Sequence, residues 1–413
     1  MAIVLSGYQV EAINRMHNGC ILCGDVGSGK SRTALAYYYL QNGGRLPDET
    51  CCYYKMNDGC QDLYIITTAK KRDSREWEEE MVPFHISTDS EDDIYVGHKV
   101  VVDSWNNLHK YVGVKGAFFI FDEQRVVGYG SWTQSFLKIA KVNNWILLSA
   151  TPGDTWMDYM PVFIANGFYK NKTDFTYQHV VWKRVHNFYQ VDRYVGIERL
   201  MRLRSRILVV MNYKHVTPSE HEMIFCEYDK AMYSIASGRK NPFEKDEFGH
   251  FIPIQNASEY CYLLRKVVNS DVSRIEAVLD ILKDHPRVII FYNFDYELEL
   301  LRNTLYANGI TYAEWNGHLH QDVPFGEEWV FLVQYNAGAE GWNCIRTDTM
   351  IFYSQHYSYK TMKQAAGRID RRNTPWPKLY YYHLKSHSGI DCAISKTLNQ
   401  KKTFNAGMFI KWN

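Results

Sequence analysis

Residues 24 to 31 read Gly24-Asp25-Val26-Gly27-Ser28-Gly29-Lys30-Ser31, a fit to the pattern G-x-x-x-x-G-K-[ST]. The apolar Cys20-Ile21-Leu22-Cys23 precedes it and predicts a short buried strand. The stretch from Ser31 to Leu40 follows and predicts a helix. Strand, glycine loop and helix are the setting in which this pattern wraps nucleotide phosphates. The glycines let successive backbone N–H groups turn onto an anion, and the helix N-terminus adds partial positive charge. Gly24, Gly27, Ser28 and Gly29 would form the cradle. Lys30 would meet the β- and γ-phosphates, and Ser31 would hold Mg²⁺.

Outward from this loop, apolar runs recur at Leu63-Tyr-Ile-Ile-Thr-Thr, Val100-Val-Val-Asp, Ala117-Phe-Phe-Ile-Phe and Trp145-Ile-Leu-Leu-Ser. Helix-like or polar segments separate them. Asp73-Ser-Arg-Glu76 predicts a capping box opening a helix that carries Trp77. Buried strands alternating with helices predict a mostly parallel sheet covered on both faces. The rhythm restarts at Arg287-Val-Ile-Ile-Phe-Tyr and continues through the runs at Thr311, Trp329, Thr349 and Lys378. A second α/β lobe, without its own phosphate loop, is expected there. The predicted division is a first lobe over 1–165, a helical or linker insertion over 166–275 and a second lobe over 276–413. Within the insertion, 193–206 are rich in arginine, 238–256 predict an exposed loop or hairpin, and Tyr260 to Val268 predict a helix.

Composition narrows the function classes. The 413 residues carry a net charge of +1, so any nucleic-acid contact must come from local patches. Nine cysteines are scattered along the chain; Cys20/Cys23 falls in the strand expected before the phosphate loop, and Cys51/Cys52/Cys60 has no matching second cluster for a zinc site. Reduced thiols and a reducing compartment are expected. No apolar run approaches a membrane span, and no basic-then-apolar leader opens the chain.

Two carboxylates, Asp122 and Glu123, close the run from Ala117. At the carboxyl end of a buried strand they need a cation. Asp122 would reach Mg²⁺ and Glu123 would polarise the attacking water. Ser149-Ala-Thr-Pro152 follows the next strand. Gln364, Gly367, Arg368 and Arg371 are spaced i, i+3, i+4, i+7, which predicts one helical face bearing two arginines. Such arginines can neutralise charge developing on a γ-phosphoryl group.

As an ordered set these motifs resemble superfamily 2 helicases and translocases, over nearly the whole chain. Gly7-Tyr8-Gln9 resembles the adenine-reading segment, which implies that Gln9 bonds the adenine edge. Asp122-Glu-Gln-Arg125 resembles the DExx box, and Ser149-Ala-Thr the third motif. Ala337-Gly-Ala-Glu-Gly341-Trp-Asn343 resembles motif V, and Gln364 to Arg371 resembles motif VI with Arg368 and Arg371 as arginine fingers. The acidic phosphate loop, motif V and motif VI are most similar to the Swi/Snf-type branch. The resemblance implies an α/β fold of two RecA-like lobes with a helical insertion between them. It implies ATP and Mg²⁺ held in the cleft, with Gln364 and Gly341 on the nucleotide side. It also implies phosphate contacts to DNA from Thr68, Lys70, Lys71, Ser104, Asn293 and Asn343. Motif II reads Asp-Glu-Gln-Arg, unlike a DEAD-box RNA helicase, and the motif Ia segment lacks its usual proline. Without accessory modules, the chain resembles the compact motors of phages and mobile elements. ATP-driven unwinding or translocation along single-stranded, duplex or forked DNA is the expected activity, in the cytoplasm, at the nucleoid or in a host cell, in contact with replication or recombination proteins and no membrane. Duplex translocation or branch migration without unwinding, and a partner-regulated ATPase switch, are the alternatives.

Overall fold

Phe118-Phe-Ile-Phe121 is buried on both faces, and the residues flanking it in space are equally apolar. A strand with two apolar faces is stable only inside a sheet covered by helices on both sides. The computed structural model describes residues 3–48, 53–89, 98–123, 126, 128–153, 155–185, 188–213, 217–238, 243–245, 251–254, 256–338, 344–371 and 374–409. It forms two compact units, Met1–Lys214 and His215–Asn413.

In the first unit, α1 (Gly7–Arg15) leads to β1 (Ile21–Cys23), α2 (Lys30–Gln41), β2 (Leu63–Thr67), α3 (Ala69–Asp73), α4 (Glu76–Met81), β3 (Val100–Ser104), β4 (Phe118–Phe121), α5 (Ser131–Ala140) and β5 (Asn144–Ser149). It closes with α6 (Trp156–Ala165), α7 (Lys172–His179), the hairpin β6 (Val180–Val185) and β7 (Phe188–Tyr194), α8 (Ile197–Ile207) and β8 (Leu208–Val210). The sheet order is β3-β2-β4-β5-β1-β8, parallel throughout. Alternate strand residues feed two cores. Ile65, Ile120, Ile146 and Leu148 pack on one face with α2, and Ile66, Phe119, Phe121 and Leu147 on the other with α5 and α6.

The second unit runs β9 (Ser219–Phe225), α9 (Lys230–Gly238), the hairpin β10 (Phe243–Lys245) and β11 (Phe251–Pro253), α10 (Ala257–Asn269), α11 (Val272–Asp284), β12 (Arg287–Tyr292), α12 (Asp295–Ala307), β13 (Tyr312–Trp315) and β14 (Trp329–Gln334). Then come α13 (Tyr335–Gly338), β15 (Thr349–Phe352), α14 (Tyr359–Ala366), β16 (Leu379–Lys385), α15 (Gly389–Asn399) and α16 (Ala406–Phe409). Its parallel sheet has the order β13-β14-β12-β15-β16-β9. The fold is thus the α/β arrangement of two mostly parallel, helix-covered sheets that the RecA-like resemblance implied. The segment 166–275 holds two hairpins besides its helices. It also supplies an edge strand to each sheet, β8 beside β1 and β9 beside β16.

Two local expectations change. The helix carrying Trp77 starts at Glu76, after Arg75 in a left-handed backbone (φ 59°), and no capping box spans Asp73 to Glu76. Asp73 instead ends α3 and pairs with Arg72 at 2.7 Å. The motif VI helix stops at Ala366, where Gly367 follows with φ −68° and ψ 1°. Arg368 N–H donates to the Ala365 carbonyl at 3.0 Å, a tighter turn than an α-helix makes. Arg368 and Arg371 therefore lie past the helix rather than on its face.

Three histidines in the second unit are held neutral. Burial pushes His383 down to about 3, helped by His221 and Lys385. Burial and then Arg265 push His356 down to about 4, and burial lowers His221. His356 Nδ1 accepts from Ser358 N–H at 3.0 Å, which requires an unprotonated nitrogen there. The unfolded chain takes up these protons near pH 6.5 and the folded unit does not. Stability is therefore full above that pH and falls as pH drops toward the folded values. In urea unfolding between pH 7 and pH 4, His383→Gln should flatten the second unit's pH slope by up to about 1.4 kcal/mol per pH unit. An unchanged slope would remove His383 from this account.

Candidate nucleotide site

The sheet order puts one strand, β5, between the phosphate-loop strand β1 and the carboxylate strand β4. Their carboxyl ends line up, since Cys23 pairs with Ser149 and Phe121 with Leu147. Four segments therefore end at one edge: the glycine loop, Ser149 to Thr151, Asp122 with Glu123, and Thr67. The loop itself turns through Gly27 (φ 81°) and Gly29 (φ 75°), the latter serving as N-cap of α2. A Cβ on Gly29 would lie 2.8 Å from Gln9 Nε2, and one on Gly24 would lie 2.5 Å from Ser28 Oγ. Buried Ser28 in turn donates to Met211 Sδ at 3.8 Å, so the residue after β8 backs the loop.

Gln9 is only 1% exposed and its amide is committed to this loop. Its Oε1 accepts from Ser6 N–H at 2.8 Å, and Nε2 donates to the Gly29 carbonyl at 3.3 Å and to Thr33 Oγ1 at 3.1 Å. The Tyr8 hydroxyl donates to the Ser28 carbonyl at 3.2 Å. The segment read as adenine-facing thus clamps the phosphate loop onto α1. Lys30 Nζ donates to the Gly24 and Asp25 carbonyls at 2.8 and 2.9 Å, which curls the lysine back over its own loop. Burial, opposed by Glu123 and assisted by Lys71, holds Lys30 below its ordinary value.

Asp122 is the most constrained group at the edge. Its Oδ2 accepts from Thr67 Oγ1 and Lys71 Nζ, both at 2.9 Å, and from Trp77 Nε1 at 3.3 Å. The indole of Trp105 donates to its carbonyl at 2.9 Å. Burial works against the carboxylate charge, but Lys71, Thr67 and Lys30 outweigh it and hold Asp122 below the usual carboxylate range. Burial likewise opposes the Lys71 ammonium, and Asp122 with Glu123 outweighs it and raises Lys71. Glu123 lies 4.0 Å from Lys71 Nζ and adopts a left-handed backbone, φ 55°. A glutamate there is strained by about 1–3 kcal/mol, as residues held for a function often are.

The donor set suits a hard cation. Ser31, half-buried in the first turn of α2, and Asp122 offer oxygen ligands next to a phosphate cradle. Mg²⁺ needs few protein ligands, because phosphate oxygens and waters complete its shell. No cluster of three or more metal-ligating side chains occurs among the described residues. The free thiols Cys20, Cys226, Cys261 and Cys344 are buried, and burial pushes Cys20 up to about 12.

In the second unit, Gln364 is buried on α14 and its carbonyl accepts from Arg368 Nε at 3.0 Å. The Arg371 carbonyl accepts from Thr374 N–H at 3.1 Å. Gly341 and Asn343 lie outside the described residues, as do Gln124 and Arg125. The residues read as DNA contacts acquire other partners. Thr68 caps α3 by accepting from Lys71 N–H at 3.3 Å, and Lys71 turns to Asp122. Ser104 is buried at the end of β3. Asn293 Nδ2 donates to Ser354 Oγ at 2.8 Å and to the Gln355 carbonyl at 3.2 Å, next to buried Glu297. Lys70 is half-buried on α3. Thr67, Trp77 and the Lys71 contact with Asp122 were not legible as site features. The pairing of Ile66 with Phe121 brings them there, and only the sheet reveals it.

Residues 273–373, within the second unit, match the family described as helicase conserved C-terminal domain. A comparison with curated proteins finds no match. One similar solved structure is the SWI2/SNF2 ATPase core of Sulfolobus solfataricus in complex with double-stranded DNA. It is 12% identical, covers 99% of this chain and 92% of its own, and has a TM-score of 0.40, too distant to speak for this chain's activity. No helix among the described residues is long and apolar enough to cross a membrane.

Gly29→Ala forces a side chain into a left-handed backbone and onto Gln9. A cost of about 1–3 kcal/mol at that position should weaken binding of a fluorescent ATP analogue by tenfold or more, with helix content unchanged. Wild-type affinity would show that the cradle is not the binding surface.

Proposed function

We propose that this chain is a superfamily 2, Swi/Snf-type motor that couples Mg-ATP hydrolysis to movement along DNA. One observation carries the reading. A glycine phosphate loop and an Asp-Glu pair share one sheet edge, in a chain that also bears a helicase conserved C-terminal domain.

The roles follow from the chemistry of each group. The loop N–H groups and Lys30 bind the phosphates. Ser31 and Asp122 would hold Mg²⁺, which would supply neutralisation of the phosphate charge. Glu123 orients the attacking water and accepts its proton. Arg368 and Arg371 neutralise the charge that develops on the transferred phosphoryl group. Thr67 and Trp77 keep the Asp122 carboxylate aimed. Lys71 belongs to the segment read as a DNA contact and also touches Asp122, so backbone contact and the carboxylate pair share one residue.

The test is steady-state ATP hydrolysis with no nucleic acid and with single-stranded, duplex and forked DNA and RNA in parallel. Stimulation by one of the DNAs is expected, and the most effective form names the track. Flat turnover across all five would overturn the motor. Glu123→Gln should lower turnover about 10²–10⁴-fold while keeping nucleotide affinity. Arg371→Ala should lower it about 10³-fold or more, again with binding kept. Normal hydrolysis by the Arg371 variant would sink its assignment.

A further inference from the structure

Residues 180–207 carry seven basic side chains against two acidic ones, although the whole chain has a net charge of +1. These residues build the hairpin β6–β7 and the helix α8. None of them belongs to the nucleotide site.

Helix α8 buries Leu200, Leu203 and Ile207 in the core of the first unit. Arg199, Arg202 and Arg206 recur at i, i+3 and i+7, which places them along one exposed stripe. Two of these guanidinium groups are stacked on aromatic rings, Arg199 5.4 Å from Tyr169 and Arg206 5.2 Å from Phe168. Arg199 also donates to Gln178 Oε1 at 2.9 Å. Among the described residues no carboxylate pairs with any of the three. The stacking orders Arg199 and Arg206 with no carboxylate bonded to them, although the Asp174 carboxylate acts on Arg199 from a distance. A guanidinium held this way loses little entropy when it binds a phosphate.

The hairpin adds rings. Arg184 lies opposite Tyr189 and Trp182 opposite Val191, so these four share a face. Val191 packs toward the core, while Trp182 is 44% and Tyr189 70% exposed. Exposed rings on the hairpin and a row of exposed arginines on the helix that follows it match the two surfaces of an unpaired nucleic-acid strand, its bases and its phosphates.

We propose that the hairpin β6–β7 and helix α8 form a second DNA contact on the first unit, in which Arg199, Arg202 and Arg206 bind backbone phosphates and Trp182 and Tyr189 stack on bases of an unpaired strand. The proposal rests on the motor reading and assigns it a surface outside the shared motifs.

Anisotropy of labelled single-stranded and blunt duplex DNA over a range of salt tests it, using the full chain. For the Arg202→Gln/Arg206→Gln variant, the slope of log affinity against log salt on single strands should shrink by about 1.4. Trp182→Ala/Tyr189→Ala should weaken single-strand binding by about fivefold or more, with an unchanged slope and unchanged duplex binding. DNA-independent ATP hydrolysis should stay at the wild-type level in both, which controls for folding. Wild-type affinity and slope in both variants would overturn the contact and leave the motor standing. Equal losses on duplex and single strand in the aromatic variant would overturn an unpaired strand as the occupant. Wild-type protein that neither binds DNA nor responds to it would overturn both readings.

Discussion

A single buried carboxylate organises the first unit. Asp122 sits at the end of a strand that is apolar on both faces, where an uncompensated charge is costly. Thr67, Lys71 and Trp77 all converge on one of its oxygens. Those partners come from the end of β2, from α3 and from α4. Satisfying one charge therefore fixes how the chain leaves β2 and where the next two helices lie. The phosphate loop sits two strands away on the same edge, held from behind by Gln9, Tyr8 and Met211. The cradle and the carboxylate are products of one sheet rather than two separate sites.

What was legible in the sequence follows from local physics. Strands such as Phe118–Phe121 and Arg287–Tyr292 are apolar on both faces, so composition alone marks them. The glycine loop is legible because its backbone needs φ values that glycine supplies. Two of the four edge strands, β8 and β9, were not. β9 reads Ser-Glu-His-Glu-Met-Ile-Phe and is largely exposed, and β8 has only three residues. An edge strand buries little and resembles a loop until its partner is known. The end of α14 was misjudged because i, i+3, i+4, i+7 spacing continues through Gly367 while the hydrogen bonds do not. The same gap between spacing and contact applies to Gln9, whose neighbours lie up to 24 residues away.

The helicase resemblance is supported by the match of 273–373 to the helicase conserved C-terminal domain family, and the α/β fold it implied is seen in the two mostly parallel sheets. Much of the polar material in the second unit is spent on its own architecture. Arg274 is fully buried and bonds Asp391 at 2.7 Å together with the Tyr353 and Leu384 carbonyls. Arg265 lies between the rings of Phe294 and Tyr357 and bonds the Gln355 carbonyl. These arginines anchor the turn that leads into α14, the helix before Arg368 and Arg371. Basic residues in this chain thus include buried girders, groups of the candidate nucleotide site and the exposed stripe on α8, besides surface ion pairs such as Lys283 with Asp280.

The account stands on Asp122 and the phosphate loop acting as one Mg-nucleotide site. Equilibrium binding of a non-hydrolysable ATP analogue, with Mg²⁺ and with chelator, to wild type and to Asp122→Ala tests this most directly. The account predicts tighter binding with Mg²⁺ in wild type and no such gain in the variant. An equal gain from Mg²⁺ in both proteins would contradict it.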